Sequence, residues 1–198
     1  LMVKERCMFG GYYKLLWVVI ALSCLALQSP NVSSLPEGYE LVDGVADISE
    51  VDANTLLITQ ASERLGIDFE SFSVDAGELV KFIQPSETSL AISRVTGNNA
   101  SEIRGRIEAN GKFFLINTNG VFFGESAQID VGGLVATTMQ VESAEDGTLK
   151  FNTAGETGIV NEGVIVTRDS GLILLSNDIR NNGQLLSEKG DIKLTAAD

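Results

Sequence analysis

The chain has no histidine, three prolines and two cysteines in 198 residues. Each shortage excludes something. Without histidine there is no Ser-His or Cys-His nucleophile pair, and no imidazole ligand for a metal. Both cysteines, Cys7 and Cys24, lie in the first 24 residues, so the rest of the chain can form no disulfide. Disulfide-free export fits a bacterial surface protein better than a secreted animal domain, which is usually cross-linked. Basic residues are also few: 14 Lys and Arg stand against 27 Asp and Glu, for a net charge of -13. A phosphate backbone is repelled by such a surface, which excludes nucleic acid as a partner.

What is present reads as strand and turn. Hydrophobic residues make up 44% and glycines number 20. Gly-rich, Pro-poor sequence with many Val, Ile, Thr and Phe favours short strands joined by turns. The length allows one domain of ordinary size.

The N-terminus carries a leader. Lys4, Arg6 and Lys14 precede the apolar run Leu15 to Leu27, "LLWVVIALSCLAL". A charged n-region and an h-region of this length read as a signal peptide over residues 1–28, too short to span a bilayer comfortably. Ala21 and Ser23 precede Cys24, so cleavage is expected between Cys24 and about Ser29. A lipidated Cys24 is the alternative, although Ala21 stands at the first of the three positions before it, where a lipidation box prefers Leu.

Further on, "EGYELVDGVADISEVDANTLLITQ" reads as short strands broken at Gly and Asp-Ala-Asn turns. Ala61 to Leu65 reads as a brief helical turn, "ELVKFIQP" as a strand, and "SLAISRV" as a strand alternating on Leu90, Ile92 and Val95. Gly132-Gly133 reads as a tight corner. Core packing is expected for at least half of Phe113, Phe114, Phe122 and Phe123, because alternation turns the others outward.

The last forty residues repeat. Ile159, Asn161 and Gly163 recur as Ile179, Asn181 and Gly183, and Leu172 and Leu174 recur as Ile192 and Leu194, every offset being 20. Apolar matches apolar and turn matches turn in one register. Neither half has a helical period, which excludes a leucine-rich repeat. Rungs of short strands in a parallel β-helix fit, because each rung buries its inner face only by stacking on the next. Such stacking would set Asn161 over Asn181 at the strand spacing of about 4.8 Å. The pattern is still running at Asp198, as in the N-terminal piece of a longer solenoid.

The stretch "SRVTGNNASEIRGRIEANGKFFLINTNGVFFGESAQIDVGGLVATT", residues 93–138, resembles the secretion domain of the filamentous haemagglutinin family, also called the haemagglutination activity domain. The resemblance extends over residues 36–198. It implies an all-β fold, a right-handed parallel β-helix with an N-terminal cap and small extra-helical strands. It also implies a bacterial two-partner secretion exoprotein of adhesin or haemolysin type. Its partner would be a cognate outer-membrane β-barrel transporter with periplasmic partner-binding domains. A host or surface ligand would be met through sequence beyond this chain.

The family's Asn-Pro-Asn-Gly motif falls on Asn117, Thr118, Asn119 and Gly120, with Thr118 in place of Pro. A second motif region falls on Gly97, Asn98, Asn99, Ala100 and Ser101, with Ala100 in place of Pro. Phe69 stands where the family usually has Trp. The resemblance makes Asn117 to Gly120, with Asn98, Asn99 and Ser101, the candidate transporter-recognition residues. Turn chemistry alone also accounts for the asparagines, which bond nearby backbone and tolerate left-handed geometry.

Catalysis is not expected, and neither is a cofactor or metal. β-Helices do host polysaccharide lyases and hydrolases, whose sites need clustered carboxylates. Here Asp130, Glu142, Glu145 and Asp169 are scattered, and Asp68 and Glu70 sit beside the expected cap. A polysaccharide-acting enzyme fragment and a structural filament module remain as alternatives.

Overall fold

The structure, a computed structural model, describes residues 34–143, 149–154 and 157–196. The leader reading over residues 1–28 and Glu145 lie outside them. All eighteen regular elements among the described residues are strands. They wind as a parallel β-helix of six rungs, three-sided where complete.

Side one stacks β3 (Thr55–Gln60), β5 (Leu79–Ile83), the first half of β8 (Arg106–Ile116), the first half of β10 (Gln128–Thr137), β14 (Val164–Thr167) and β17 (Gln184–Ser187). Side two stacks β4 (Arg64–Phe69), β6 (Leu90–Val95), the second halves of β8 and β10, β15 (Leu172–Ser176) and β18 (Ile192–Ala196). Side three stacks β7 (Ser101–Ile103), β9 (Val121–Phe123), β13 (Ile159–Asn161) and β16 (Ile179–Asn181), with Val74 bridging to Ile103 from the first rung.

Period-2 alternation sends one row of each strand inward. Leu56, Val80, Ile107, Ile129, Ile165 and Leu185 follow one another in register along side one. Leu65, Ala91, Phe113, Leu134, Leu172 and Ile192 do the same on side two. Burial of each large side chain is worth about 1.5–3 kcal/mol. Phe69, Phe72, Phe113 and Phe82 form a run of ring contacts through the first rungs, with centroids 5.1, 6.0 and 5.0 Å apart.

The N-terminal end is capped by antiparallel pairing. β1 (Glu40–Asp43) lies on β4, and β2 (Ala46–Asp52) lies on β3. One antiparallel pair, β11 (Met139–Ser143) with β12 (Leu149–Ala154), is inserted between β10 and β13 and stands outside the coil.

The repeat register is the observed one: Ile159 pairs Ile179, Leu172 pairs Ile192 and Leu174 pairs Leu194. Phe113 and Phe123 are buried, while Phe114 and Phe122 are half-buried. Gly132 does turn a corner, inside β10, where the register shifts between Val131 and Gly133. A Cβ on Gly132 would sit 2.7 Å from the carbonyl oxygen of Gly111 on the rung below, so the backbones approach where only glycine fits.

Two readings change. Ala61 to Leu65 is not helical: a bend at 62–63 leads into β4 at Arg64, because Leu65 is needed as an inward strand residue. In β6 the buried row is Ala91, Ser93 and Val95, not Leu90 and Ile92. Stacking decides this, since Ala91 must sit between Leu65 and Phe113.

Candidate functional site

Asn117, Thr118, Asn119 and Gly120 form the corner between sides two and three on the third rung. Strand β8 brings the chain up to Ile116, and β9 leaves from Val121. The turn therefore re-aims the chain to a new side and does not fold it back as a hairpin.

Asn117 is 0% exposed, and its amide is fully used. Its Nδ2 donates to the carbonyl of Asn99 at 3.0 Å and to Oγ of Ser101 at 2.9 Å. Its Oδ1 accepts from the backbone N–H of Asn119 at 2.9 Å and from Asn119 Nδ2 at 3.2 Å. Two donor hydrogens and two acceptor contacts are the whole capacity of the group. Burial without partners would be costly, so this side chain is tied to its neighbours on both strands of the corner.

Asn119 is half-buried, and its Nδ2 donates to the carbonyl of Gly97 at 2.8 Å. The N–H of Gly120 closes the turn on the carbonyl of Asn117 at 3.2 Å. Gly120 has φ +114, and a Cβ there would meet nothing nearer than 3.6 Å. Its requirement is conformational, not spatial. The asparagines do not share it: among the described residues, no non-glycine has positive φ. Left-handed tolerance is thus not why Asn stands at 117 and 119; amide hydrogen bonding is.

The structure brings the two motif regions together. Ser101 is buried, and its N–H donates to the carbonyl of Gly120 at 3.0 Å. Asn99 contributes its carbonyl, not its side chain. Asn98 and Asn99 are exposed at the surface beside the corner.

Thr118 is half-buried, and its carbonyl accepts from Oγ1 of Thr157 at 2.7 Å. Above it, the Thr138 and Ser176 hydroxyls hydrogen-bond each other at 2.6 Å, and the one that accepts donates onward to the carbonyl of Thr157, which lies 3.3 Å from Thr138 Oγ1 and 3.1 Å from Ser176 Oγ. A polar spine thus climbs the corner from Gly97 to Ser176. It passes the base of the extra-helical pair, because Thr138 precedes β11 and Thr157 follows β12. Sequence reading missed Thr138, Thr157 and Ser176. The inserted pair displaces them from any fixed spacing, so no periodic signal marks them.

Elsewhere, three carboxylates are each held by a cation stacked on the next rung. Asp68 holds Arg94, Asp130 holds Arg168 and Asp169 holds Lys189. Hydrogen bonding from Arg168 keeps the Asp130 carboxyl below its ordinary range, against a smaller opposing effect of burial. Asp68 raises Arg94, and Asp169 raises Lys189, in each case first through a hydrogen bond. Among the described residues, no group of three or more Cys, Asp or Glu is arranged to hold a metal.

The family model described as the TPS secretion domain matches residues 41–198. A heme/hemopexin-binding protein of Haemophilus influenzae is 36% identical over 170 residues, which are 83% of this chain and 18% of that protein. A second Haemophilus influenzae protein of the same name is 35% identical over 134 residues, 68% of this chain and 14% of its own. The chain thus spans less than a fifth of either relative. The crystal structure of the HMW1 secretion domain from Haemophilus influenzae matches with a TM-score of 0.69 at 27% identity, over 81% of this chain and 44% of that one.

Proposed function

The chain belongs to the TPS secretion domain family, and from that premise we propose that its corner turn is the element its transporter reads. A TPS domain implies a cognate outer-membrane transporter, and TPS exoproteins travel through the periplasm to the cell surface or medium. Within that frame, residues 1–28 act as the signal peptide and residues 36–198 as the secretion domain. Of the two motif regions, Asn98, Asn99, Thr118 and Asn119 engage the transporter's periplasmic partner-binding domains, and buried Asn117, Gly120 and Ser101 hold them in position.

One observation carries this reading. The two motif regions are joined through Asn117 and Asn119 into a single unit whose polar groups reach the surface at Asn98 and Asn99. The domain itself performs no catalysis on this reading. Support comes from relatives named for binding, and from the ion pairs that hold Asp68, Asp130 and Asp169.

Adhesin-like or haemolysin-like activity of the whole exoprotein belongs to sequence beyond this chain. The relatives' haem or hemopexin binding is assigned to that sequence as well, because this chain covers only 18% and 14% of their lengths.

The test is export with and without the partner. The chain, expressed with its cognate transporter, should accumulate in the medium or on the cell surface. Without the transporter it should be retained. Equal release in both would reject the reading.

A further inference from the structure

Among the described residues, β1 bonds only to β4, and β2 only to β3, so each has one edge that no described strand pairs, at the N-terminal end of the coil. A free edge presents N–H and C=O groups ready to pair with another strand. Long regular pairing is interrupted by two register shifts, between Leu41 and Asp43 and between Glu50 and Asp52. A regular stretch of β2 remains, from Ala46 to Glu50.

This end is also where apolar surface collects. Ten large hydrophobic residues are exposed among those described, and five of them fall within residues 39–51. They are Tyr39 at 49%, Leu41 at 42%, Val42 at 51%, Val45 at 63% and Val51 at 61%. Concentration of this kind, on an edge, marks a contact surface and not the usual scatter of single apolar residues.

Charge identifies the occupant. Residues 37–54 contain Glu37, Glu40, Asp43, Asp47, Glu50 and Asp52, and no Lys or Arg. Asp43 pairs with Arg64 at 3.1 Å; no ion pair among the described residues reaches Glu37, Glu40, Asp47 or Glu50. A second copy of this edge would bring carboxylates against carboxylates, which disfavours self-pairing.

The pleat gives the pattern of the incoming strand. Ala46 and Ile48 are half-buried and pack on the core, while Asp47 and Ser49 face solvent. A strand laid beside β2 extends both rows. Its inward side chains must be apolar to continue the row of Ile48, and its outward ones basic to meet Asp47.

We propose that the free edge of β2, flanked by the exposed residues of β1, captures an extended segment of a partner protein in which basic and apolar residues alternate. Main-chain bonds give the pairing and alternate side chains give the selectivity. The surface belongs to the folded domain.

A synthetic peptide of about eight alternating lysines and valines is a direct probe, and the amide NMR spectrum of the domain is the readout. The expected result is saturable shifts confined to residues 40–52 and their pairing partners on β3 and β4. Binding should weaken roughly tenfold in the exposed double variant Asp47→Lys/Ser49→Lys, and similarly at about 0.5 M NaCl, where exposed charges are screened. An alternating glutamate–valine peptide should not bind. Thermal unfolding of the double variant should match the wild type, since both side chains are exposed. No shifts at these residues, shifts centred elsewhere, or equal binding by wild type and double variant would overturn the proposal.

Discussion

The side-chain amide of Asn119 donates to the carbonyl of Gly97, 2.8 Å away on the turn of the preceding rung. Asn117 does the same to Asn99. Two asparagines are used because one turn is being fastened to another; a free-standing turn would need only its glycine.

The two asparagines should therefore differ in their effect on stability. Asn117→Ala removes four hydrogen bonds from a buried position and strands the carbonyl of Asn99. A cost of about 2–4 kcal/mol is expected. Asn119→Ala, half-buried, should cost about 1 kcal/mol. Denaturant unfolding of the two variants checks the order; a larger loss for Asn119→Ala would contradict the assignment of these bonds.

Gly120 and Gly97 should fail for different reasons. Gly120→Ala meets no atom but must hold φ +114, a strain of about 1–3 kcal/mol. At Gly97 a Cβ would lie 2.2 Å from the carbonyl oxygen of Glu70, so Gly97→Ala must move backbone. Unfolding midpoints and amide shifts separate them: local change around the turn for Gly120→Ala, displacement reaching residue 70 for Gly97→Ala.

Much of this was legible beforehand, and the limits have physical causes. The register of the last rungs was visible because those rungs have equal length, so Ile159 falls over Ile179 and Leu172 over Ile192 at a fixed offset. Earlier rungs hide the same stacking. Val80 pairs Ile107, 27 residues on; Ile107 pairs Ile129, 22 on; Ile129 pairs Ile165, 36 on, across the inserted strand pair. Corners absorb loop residues without disturbing the inner rows, so period is lost while structure is kept. The expected ladder of Asn161 over Asn181 is present, Nδ2 to Oδ1 at 2.7 Å. The turn character of Asn117 to Gly120 was readable, but its bonds to Gly97, Asn99 and Ser101 depend on rung length and were not. In β6, Ser93 stands in an apolar row where pattern alone preferred Ile92.

That serine makes a prediction of its own. The hydroxyls of Ser93 and Thr167 are buried without a hydrogen-bond partner among the described residues. Replacing an unsatisfied buried hydroxyl by an apolar group of similar shape recovers part of a desolvation cost of about 1–3 kcal/mol. Ser93→Ala and Thr167→Val should leave stability unchanged or raise it. A clear loss in both would mean that these hydroxyls have partners.

The pair Asp130–Arg168 should appear in the acid limb of stability. Arg168 Nε donates to Asp130 Oδ1 at 2.6 Å, and the Asp130 carboxyl titrates below its ordinary range. A depressed carboxyl contributes stability above its unfolded pKa of about 4, and the contribution is lost as pH falls through the lower native value. Wild type should exceed Asp130→Asn in urea midpoint at neutral pH, and the two should converge in strong acid. A gap that stays constant with pH would show that the pair's charge is irrelevant.

Secretion measured beside a stability-matched control tests the export role of the corner most directly. Ile165→Val lies in the core, away from the turn, and should cost about 0.5–1.5 kcal/mol, close to the loss expected for Asn119→Ala. Both variants and the wild type are expressed with the cognate transporter, and the exported chain is quantified against thermal unfolding of the purified domains. The account predicts near wild-type export for Ile165→Val and a several-fold drop for Asn119→Ala at equal stability. Equal export of the two variants would contradict it and leave the corner as a structural fastening only.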